Sequence, residues 1–139
     1  MSGTFPFRSL DYIYDKIYSY GIDVTEARLP KGKEGFYYED GEERIIVVSS
    51  SLTTYKKRST ATHELVHALL HESTGVPYCR NSLWQGRFER EANIYTARIL
   101  IPEDRLLELL KMDYSISEIA EEFLVSEDLV RVAIEDTGL

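Results

Sequence analysis

The chain has 139 residues, a formal net charge of −8 and a single cysteine, Cys79. This length suits one domain whose core needs no disulfide, and a lone cysteine excludes both an intramolecular disulfide and a cysteine-rich zinc site. The negative charge argues against a general affinity for nucleic acid, because such binding depends on Lys and Arg neutralising phosphates. A protein or peptide partner is therefore favoured.

The first half of the chain predicts one helix followed by a small sheet. Apolar residues at helical spacing follow Ser9, which is placed as an N-cap, and Gly21 is placed to end the helix. Between residues 24 and 49, three short β-rich runs are separated by turns that contain Gly or Pro. An Asp-Gly pair at residue 40 predicts a hairpin between the second and third runs, and the third is apolar enough to be a buried central strand.

The second half predicts helices throughout. The helical period returns near residues 53–59 and extends to about Glu72, and a loop is expected from Val76 to Gly86. The next helix is expected from Phe88 to Ile101, where Pro102 breaks it. Three shorter helices should follow, over residues 103–111, after the capping box that begins at Ser115, and after Ser126.

The sequence His63-Glu64-Leu65-Val66-His67 is a candidate metal motif. Two imidazoles four residues apart lie on one face of a helix and can close on a single metal ion. A Glu beside the first His is suited to act as general base. A catalytic zinc site needs three protein ligands and an open position, so a third ligand must come from elsewhere in the chain.

Glu89 is the stronger candidate for the third ligand. Glu89 and Asn93 are four residues apart on the following predicted helix and project from the same face, so Asn93 could hydrogen-bond a ligand imidazole and fix its tautomer. Glu91 points away from that face and is the weaker candidate.

His71 continues the spacing of four but is not expected on the metal. At 1.5 Å rise per residue it lies about 12 Å along the helix axis from His63. Two imidazoles that far apart cannot both reach one ion at ~2 Å. We assign His71 a supporting role beside the ligands or at the helix end.

These residues also carry a family resemblance. The segment HELVHALLH from His63, followed by Glu-x-x-Ala-Asn-x-Tyr-x-Ala-x-x-Leu-Ile-Pro from Glu89, resembles the ImmA/IrrE family of zinc metallopeptidases. With the upstream β-rich segments, the resemblance covers about residues 22–102. Val66 stands where members often have Gly, which affects helix packing more than chemistry.

The resemblance implies an α+β, gluzincin-like fold. A small antiparallel or mixed three-stranded sheet would pack on a helical zincin-like core over residues 1–111, and C-terminal helices over 112–139 would complete a single metallopeptidase domain, 1–139. It implies Zn²⁺ held by His63, His67 and Glu89, with Glu64 as general base in peptide hydrolysis. The donor to the tetrahedral oxyanion stays open among five residues: Tyr55, His71, Tyr78, Tyr95 and Arg98.

The resemblance also implies a protein substrate, a helix-turn-helix repressor of a prophage or mobile element. The competing hypothesis is a zinc-holding antirepressor that sequesters the repressor without cutting it. No apolar run approaches the ~20 residues of a membrane-spanning helix, and residues 1–8 lack the features of a secretory signal. We therefore expect a cytoplasmic protein that contacts no membrane.

Residues 116–135 have the spacing of a helix-turn-helix. Between residues 112 and 139, however, acidic residues dominate and Arg131 is the one basic residue, so this segment would repel phosphate. We expect a packing element, with docking of a basic partner as the functional alternative and a DNA-binding regulator as a third hypothesis. The short basic run Lys56-Lys57-Arg58 is expected to be solvated surface.

Overall fold

A three-stranded mixed sheet and six helices make up the computed structural model, which describes residues 8–70 and 82–139. The predicted α+β fold class is confirmed. In chain order the elements are α1 (Leu10–Ser19), β1 (Asp23–Ala27), β2 (Gly35–Asp40), β3 (Glu43–Ser49), α2 (Thr54–Leu70), α3 (Ser82–Leu100), α4 (Glu103–Lys111), α5 (Ile116–Phe123) and α6 (Glu127–Asp136). In these described segments, no helix is both long and apolar enough to cross a membrane.

The sheet has the order β1-β3-β2, with β1 parallel and β2 antiparallel to β3. The predicted hairpin is confirmed, since Asp40 pairs with Glu43 and Gly41 adopts φ +54°, the left-handed conformation that tight hairpins require. β3 is the central strand, and its residues Ile46 to Val48 are buried. The outer strand β2 packs against α2.

Local capping fixes the helix boundaries that the sequence predicts. The side chain of Ser9 accepts a hydrogen bond from the backbone N–H of Tyr12 at the start of α1, and Gly21 follows the helix with φ +76°. Ser115 forms the predicted capping box with Glu118, and Ser126 caps α6. The short C-terminal helices therefore begin where the sequence predicts.

The predicted start of α3 is wrong. A loop was expected as far as Gly86 and a helix from Phe88, but the helix begins at Ser82. Gly86 does not interrupt it, because a glycine inside a helix costs only about 1 kcal/mol relative to alanine. The rest of the predicted loop lies outside the described residues.

The expectation that the basic run at residues 56–58 is solvated surface is wrong for Arg58. Its side chain is only 2% exposed and donates hydrogen bonds to the carbonyl oxygens of Phe123 and Leu124, both at 2.7 Å. Leu124 ends α5 in the left-handed conformation, so the guanidinium satisfies carbonyl groups that the end of that helix leaves open. Lys57 pairs with Glu26 at 2.7 Å.

The last two helices share the main core. Ile119 and Phe123 of α5 and Val130 of α6 are fully buried, in the same cluster as residues of α1, the sheet and α2. α6 also packs against α3, where Arg98 makes a bidentate ion pair with Asp136. The C-terminal helices are thus held by both helices that carry the candidate metal ligands.

Candidate metal centre

Helix α2 separates its core face from a polar face that carries the metal motif. Thr53 begins the helix by accepting a hydrogen bond from the backbone N–H of Lys56. Ala61, Leu65 and Ala68 follow one another at helical spacing and are buried in the core. The ring of His63 projects from another face and remains 22% exposed.

Three donor groups from α2 and α3 meet at one point. The Nε2 atoms of His63 and His67 are 3.1 Å apart. Glu89 of α3 places Oε1 at 2.6 Å from His67 Nε2 and Oε2 at 3.1 Å from His63 Nε2. Among the residues described, these three form a group whose ligand atoms all lie within 4.8 Å of one another. The structure therefore brings together the three predicted ligands.

The donor set fits a tetrahedral metal ion. Ligand bonds of 2.0–2.2 Å at tetrahedral angles place neighbouring donor atoms about 3.3 Å apart. The observed separations of 2.6–3.3 Å reach that value at their upper end, and the shortest is the hydrogen-bond distance between His67 and Glu89. Two imidazoles and one carboxylate are ligands typical of zinc with a position left open. The residues present therefore fit a zinc ion.

The carboxylate and the imidazoles change one another's proton affinity. Hydrogen bonds from His63 and then His67 hold the pKa of Glu89 well below its usual range, against the opposing effect of burial. Burial lowers the pKa of His63, but the hydrogen bond and charge of Glu89, with smaller effects from Glu64 and Glu34, outweigh it and leave the pKa raised. The Glu89 carboxylate therefore stays ionised, as a metal ligand must be.

Glu64 stands beside the three donors but is not one of them. It lines a cleft of about 400 Å³ together with His63, in the size range of ligand-binding sites. Gly35 at the start of β2 packs closely here, since a Cβ on it would lie 2.8 Å from Thr60 Cγ2 and 3.8 Å from Glu64 Cγ. Glu64 is thus in the cleft and outside the donor group, and its role as general base stays a prediction.

The other predicted site residues have different outcomes. Asn93 lines the cleft, but within the described part of the chain it makes no hydrogen bond to His63 or His67. Its proposed role in orienting an imidazole stays a prediction. Glu91 is exposed and outside the donor group. His71 lies outside the described residues, so its supporting role is also still a prediction.

None of the described candidates for the oxyanion donor lines the cleft. Tyr55 and Tyr95 are exposed, and neither is part of the cleft wall. Arg98 pairs with Asp136 and lies over the ring of Tyr95, with 5.0 Å between the guanidinium carbon and the ring centroid. His71 and Tyr78 lie outside the described residues.

Several cleft residues were missed by the sequence analysis. Thr96 of α3 lines the cleft, and its spacing of three from Asn93 and seven from Glu89 is a helical signal that could have identified it. Ser126 and Leu129 of α6 also line the cleft. No local signal identifies these two, because tertiary packing alone brings α6 to the site.

The chain is similar to known proteins both in sequence and in fold. The sequence model of the Peptidase_M78 family, the IrrE N-terminal-like domain, matches residues 18–135. A protein of Bacillus phage phi105, "Uncharacterized immunity region protein 2", is 28% identical over 101 residues, which is 71% of this chain and 64% of that protein. A "Mycobacterium tuberculosis transcriptional regulator" shares the fold with a TM-score of 0.70 at 15% identity, over 91% of this chain and 40% of that one. The chain thus spans less than two thirds of either protein.

Proposed function

Because the chain belongs to the Peptidase_M78 family of IrrE N-terminal-like domains, we propose that it is a zinc-dependent endopeptidase that cleaves a regulatory protein. The observation that carries this proposal is the meeting of His63, His67 and Glu89 with Glu64 placed beside them in an open cleft. A structural role for the motif would not require the two imidazoles and the carboxylate to converge. His63, His67 and Glu89 would hold the ion.

The protein residues divide the chemistry among them. A zinc ion bound here would supply a Lewis acid for the scissile carbonyl and would lower the pKa of water from ~15.7 toward ~7. Glu64 takes the proton from the attacking water and delivers it to the leaving amine. The cleft holds the peptide so that its scissile bond lies between Glu64 and the three ligands.

We propose a helix-turn-helix repressor of a prophage or mobile element as the substrate. The similarity to a protein of a phage immunity region supports this choice. The net charge of −8 agrees with a protein partner rather than with direct binding of nucleic acid. Cleavage would inactivate the repressor and switch on the genes that it silences.

The alternative function is that of an antirepressor that holds zinc but only sequesters its partner. The exposed acidic residues of α5 and α6, among them Glu121 and Glu127, would favour docking of a basic protein in either case. The two functions differ only at the bond-breaking step. A variant that loses the base but keeps the metal therefore separates them.

The experiment is incubation of the zinc-loaded protein with the repressor encoded beside its gene. Wild type should produce one discrete pair of fragments, and Glu64→Gln should slow their appearance by about 100-fold or more while it still binds the repressor. Glu91→Gln, an acid-to-amide change on the neighbouring helix, is the matched control and should cleave normally. Derepression that is unchanged in Glu64→Gln would instead establish the sequestering function.

A further inference from the structure

Thr96 is a buried hydroxyl without a partner at the catalytic cleft. Its side chain is 2% exposed, and in the part of the chain that the structure describes its Oγ1 has no hydrogen-bond partner. Thr62 of α2 is equally buried, but its Oγ1 donates to the carbonyl oxygen of Arg58 at 2.8 Å, the usual solution for a threonine inside a helix. Buried polar groups rarely stay unpaired, so Thr96 indicates a partner that arrives with a ligand.

The surroundings of Thr96 define what that ligand group is. The cleft residues contributed by α3 and α6 are all uncharged, namely Asn93, Thr96, Ser126 and Leu129. The charged cleft residues Glu34, Lys56 and Glu64 come from α2 and from the chain before β2. Because this wall contributes no charged side chain, it favours an uncharged ligand group over a charged one, which would lose hydration there without an ion pair from the wall. Leu129, which is 9% exposed, adds an apolar side chain to the wall.

This part of the cleft is anchored at both ends of α6. Arg58 holds the carbonyl groups of Phe123 and Leu124, shortly before Ser126, and the pair Arg98–Asp136 joins the other end of α6 to α3. These contacts set the position of the wall, and a ligand group would reach the buried Thr96 hydroxyl by rotation of that side chain toward the cleft.

We propose that Thr96 and Leu129 form a subsite for one side chain of the peptide substrate, and that this side chain is uncharged with a hydrogen-bonding end, as in Gln, Asn or Thr. The proposal rests on the proposed function, since it needs a peptide in the cleft. It gives the C-terminal helices a role in substrate selection, with Arg58 as a positioning residue that acts through the α5–α6 turn.

The test uses a library of peptides from a tryptic digest of a bacterial lysate. Zinc-loaded wild type is incubated with the library, and mass spectrometry reads the residues around each new terminus. A parallel column of zinc-loaded Glu64→Gln captures bound peptides, which are sequenced in the same way. Thr96→Val, which removes only the hydroxyl, and Leu129→Ala are compared in both assays. Val130→Ala is the matched control, because this neighbour is buried in the core like Leu129 but is not part of the cleft.

Wild type should prefer Gln, Asn or Thr at one position beside the cleaved bond. For peptide pairs that differ only as Thr/Val or Gln/Met at that position, Thr96→Val should lower the ratio of kcat/KM values by roughly 2- to 10-fold, the effect of one hydrogen bond. Leu129→Ala should shift acceptance toward bulkier side chains, and Val130→Ala should retain the wild-type preference.

The two proposals fail in different ways. Cleavage by wild type with preferences that survive both Thr96→Val and Leu129→Ala overturns the subsite and leaves the peptidase function standing. Capture by Glu64→Gln with a preference that Thr96→Val abolishes, combined with no cleavage by wild type, supports the subsite and contradicts the peptidase. If peptides are neither captured nor cleaved, both proposals are contradicted.

Discussion

The two halves of helix α2 use their ionisable side chains for opposite purposes. In the N-terminal half, Arg58 is buried and its guanidinium meets two backbone carbonyls, so a charged donor faces acceptors. In the C-terminal half, His63 and His67 bring two ring nitrogens within 3.1 Å of each other and share one carboxylate. The first arrangement ties the helix to the end of α5, whereas the second crowds potential ligands together.

The difference shows how structural and functional polar groups can be told apart in one element. A buried charge that serves the fold finds its hydrogen-bond partners within the protein, as the two terminal nitrogens of Arg58 do. Imidazoles and a carboxylate that converge on one point contribute little to the stability of the fold. Such a group is typical of a site that binds a metal ion or ligand. Each of the following predictions tests one side of this contrast.

The largest effect is expected for His67→Ala in the C-terminal half. Removal of one of three ligands should weaken zinc binding by more than about 100-fold and reduce peptide cleavage to background. Metal content after dialysis and the rate of repressor cleavage measure the two effects. Leu69→Ala, an exposed neighbour on the same helix, should behave as wild type. Full zinc content and activity in His67→Ala would contradict the assignment.

Arg58→Ala should give the next largest effect, on stability rather than on metal binding. Loss of two charged hydrogen bonds would lower the free energy of unfolding by about 2–4 kcal/mol, because two carbonyl groups lose their donor. Urea denaturation measures this change in the free energy of unfolding. Arg131→Ala, at an exposed arginine of α6, should change stability by less than about 0.5 kcal/mol. If both substitutions changed the free energy of unfolding equally, Arg58 would not have the structural role described for the N-terminal half.

Gly35 of β2 packs against the middle of α2, where the halves join, and Gly86 of α3 serves as a glycine for comparison. In Gly35→Ala the new Cβ would clash with Thr60 Cγ2 and with the carbonyl oxygen of Val47, both at 2.8 Å. We expect a loss of about 1–3 kcal/mol and slower cleavage, because β2 must move away from Glu64. In Gly86→Ala the nearest atom among the described residues is Arg90 Nη1 at 3.9 Å, and the change should stabilise α3 by about 0.5–1 kcal/mol. Thermal unfolding of both variants beside wild type measures the two changes in stability. A more stable Gly35→Ala protein would contradict the close packing of β2 against α2.

The smallest effect is a pH dependence confined to the C-terminal half. The raised pKa of His63 means that its contribution to stability is full below the unfolded value of 6.5 and disappears as pH rises through the folded pKa. The lowered pKa of Glu89 means that its contribution is present above the unfolded value of 4.5 and disappears only as pH falls through the folded pKa. Burial lowers the pKa of Arg58 to about 10, so Arg58 stays charged throughout the neutral range.

Metal-free protein should therefore melt at a lower temperature at pH 8.5 than at pH 5.5. Melting curves in the presence of a chelator measure this change, and Glu89→Gln should reduce it because the imidazole then loses its anionic partner. An equal change of melting temperature with pH in wild type and Glu89→Gln would show that the pair does not contribute as described.

The same contrast explains what the sequence could predict. Periodicity, caps and turn residues determine the elements locally, so β3 as the central strand and the start of α6 after Ser126 were predictable. His63, His67 and Glu89 were predictable because the two histidines lie within one helix and Glu89 begins a motif within the next. Arg58 was not, because its partners lie 65 and 66 residues away and only packing brings them together. Leu129 reaches the cleft for the same reason.

Metal content and cleavage, determined on the same samples of wild type, Glu64→Gln and Glu89→Gln, test the central claim most directly. The account predicts one zinc and cleavage of the repressor for wild type, one zinc without cleavage for Glu64→Gln, and loss of both for Glu89→Gln. Cleavage by Glu64→Gln at the wild-type rate, or by wild type after complete removal of metal, would contradict it.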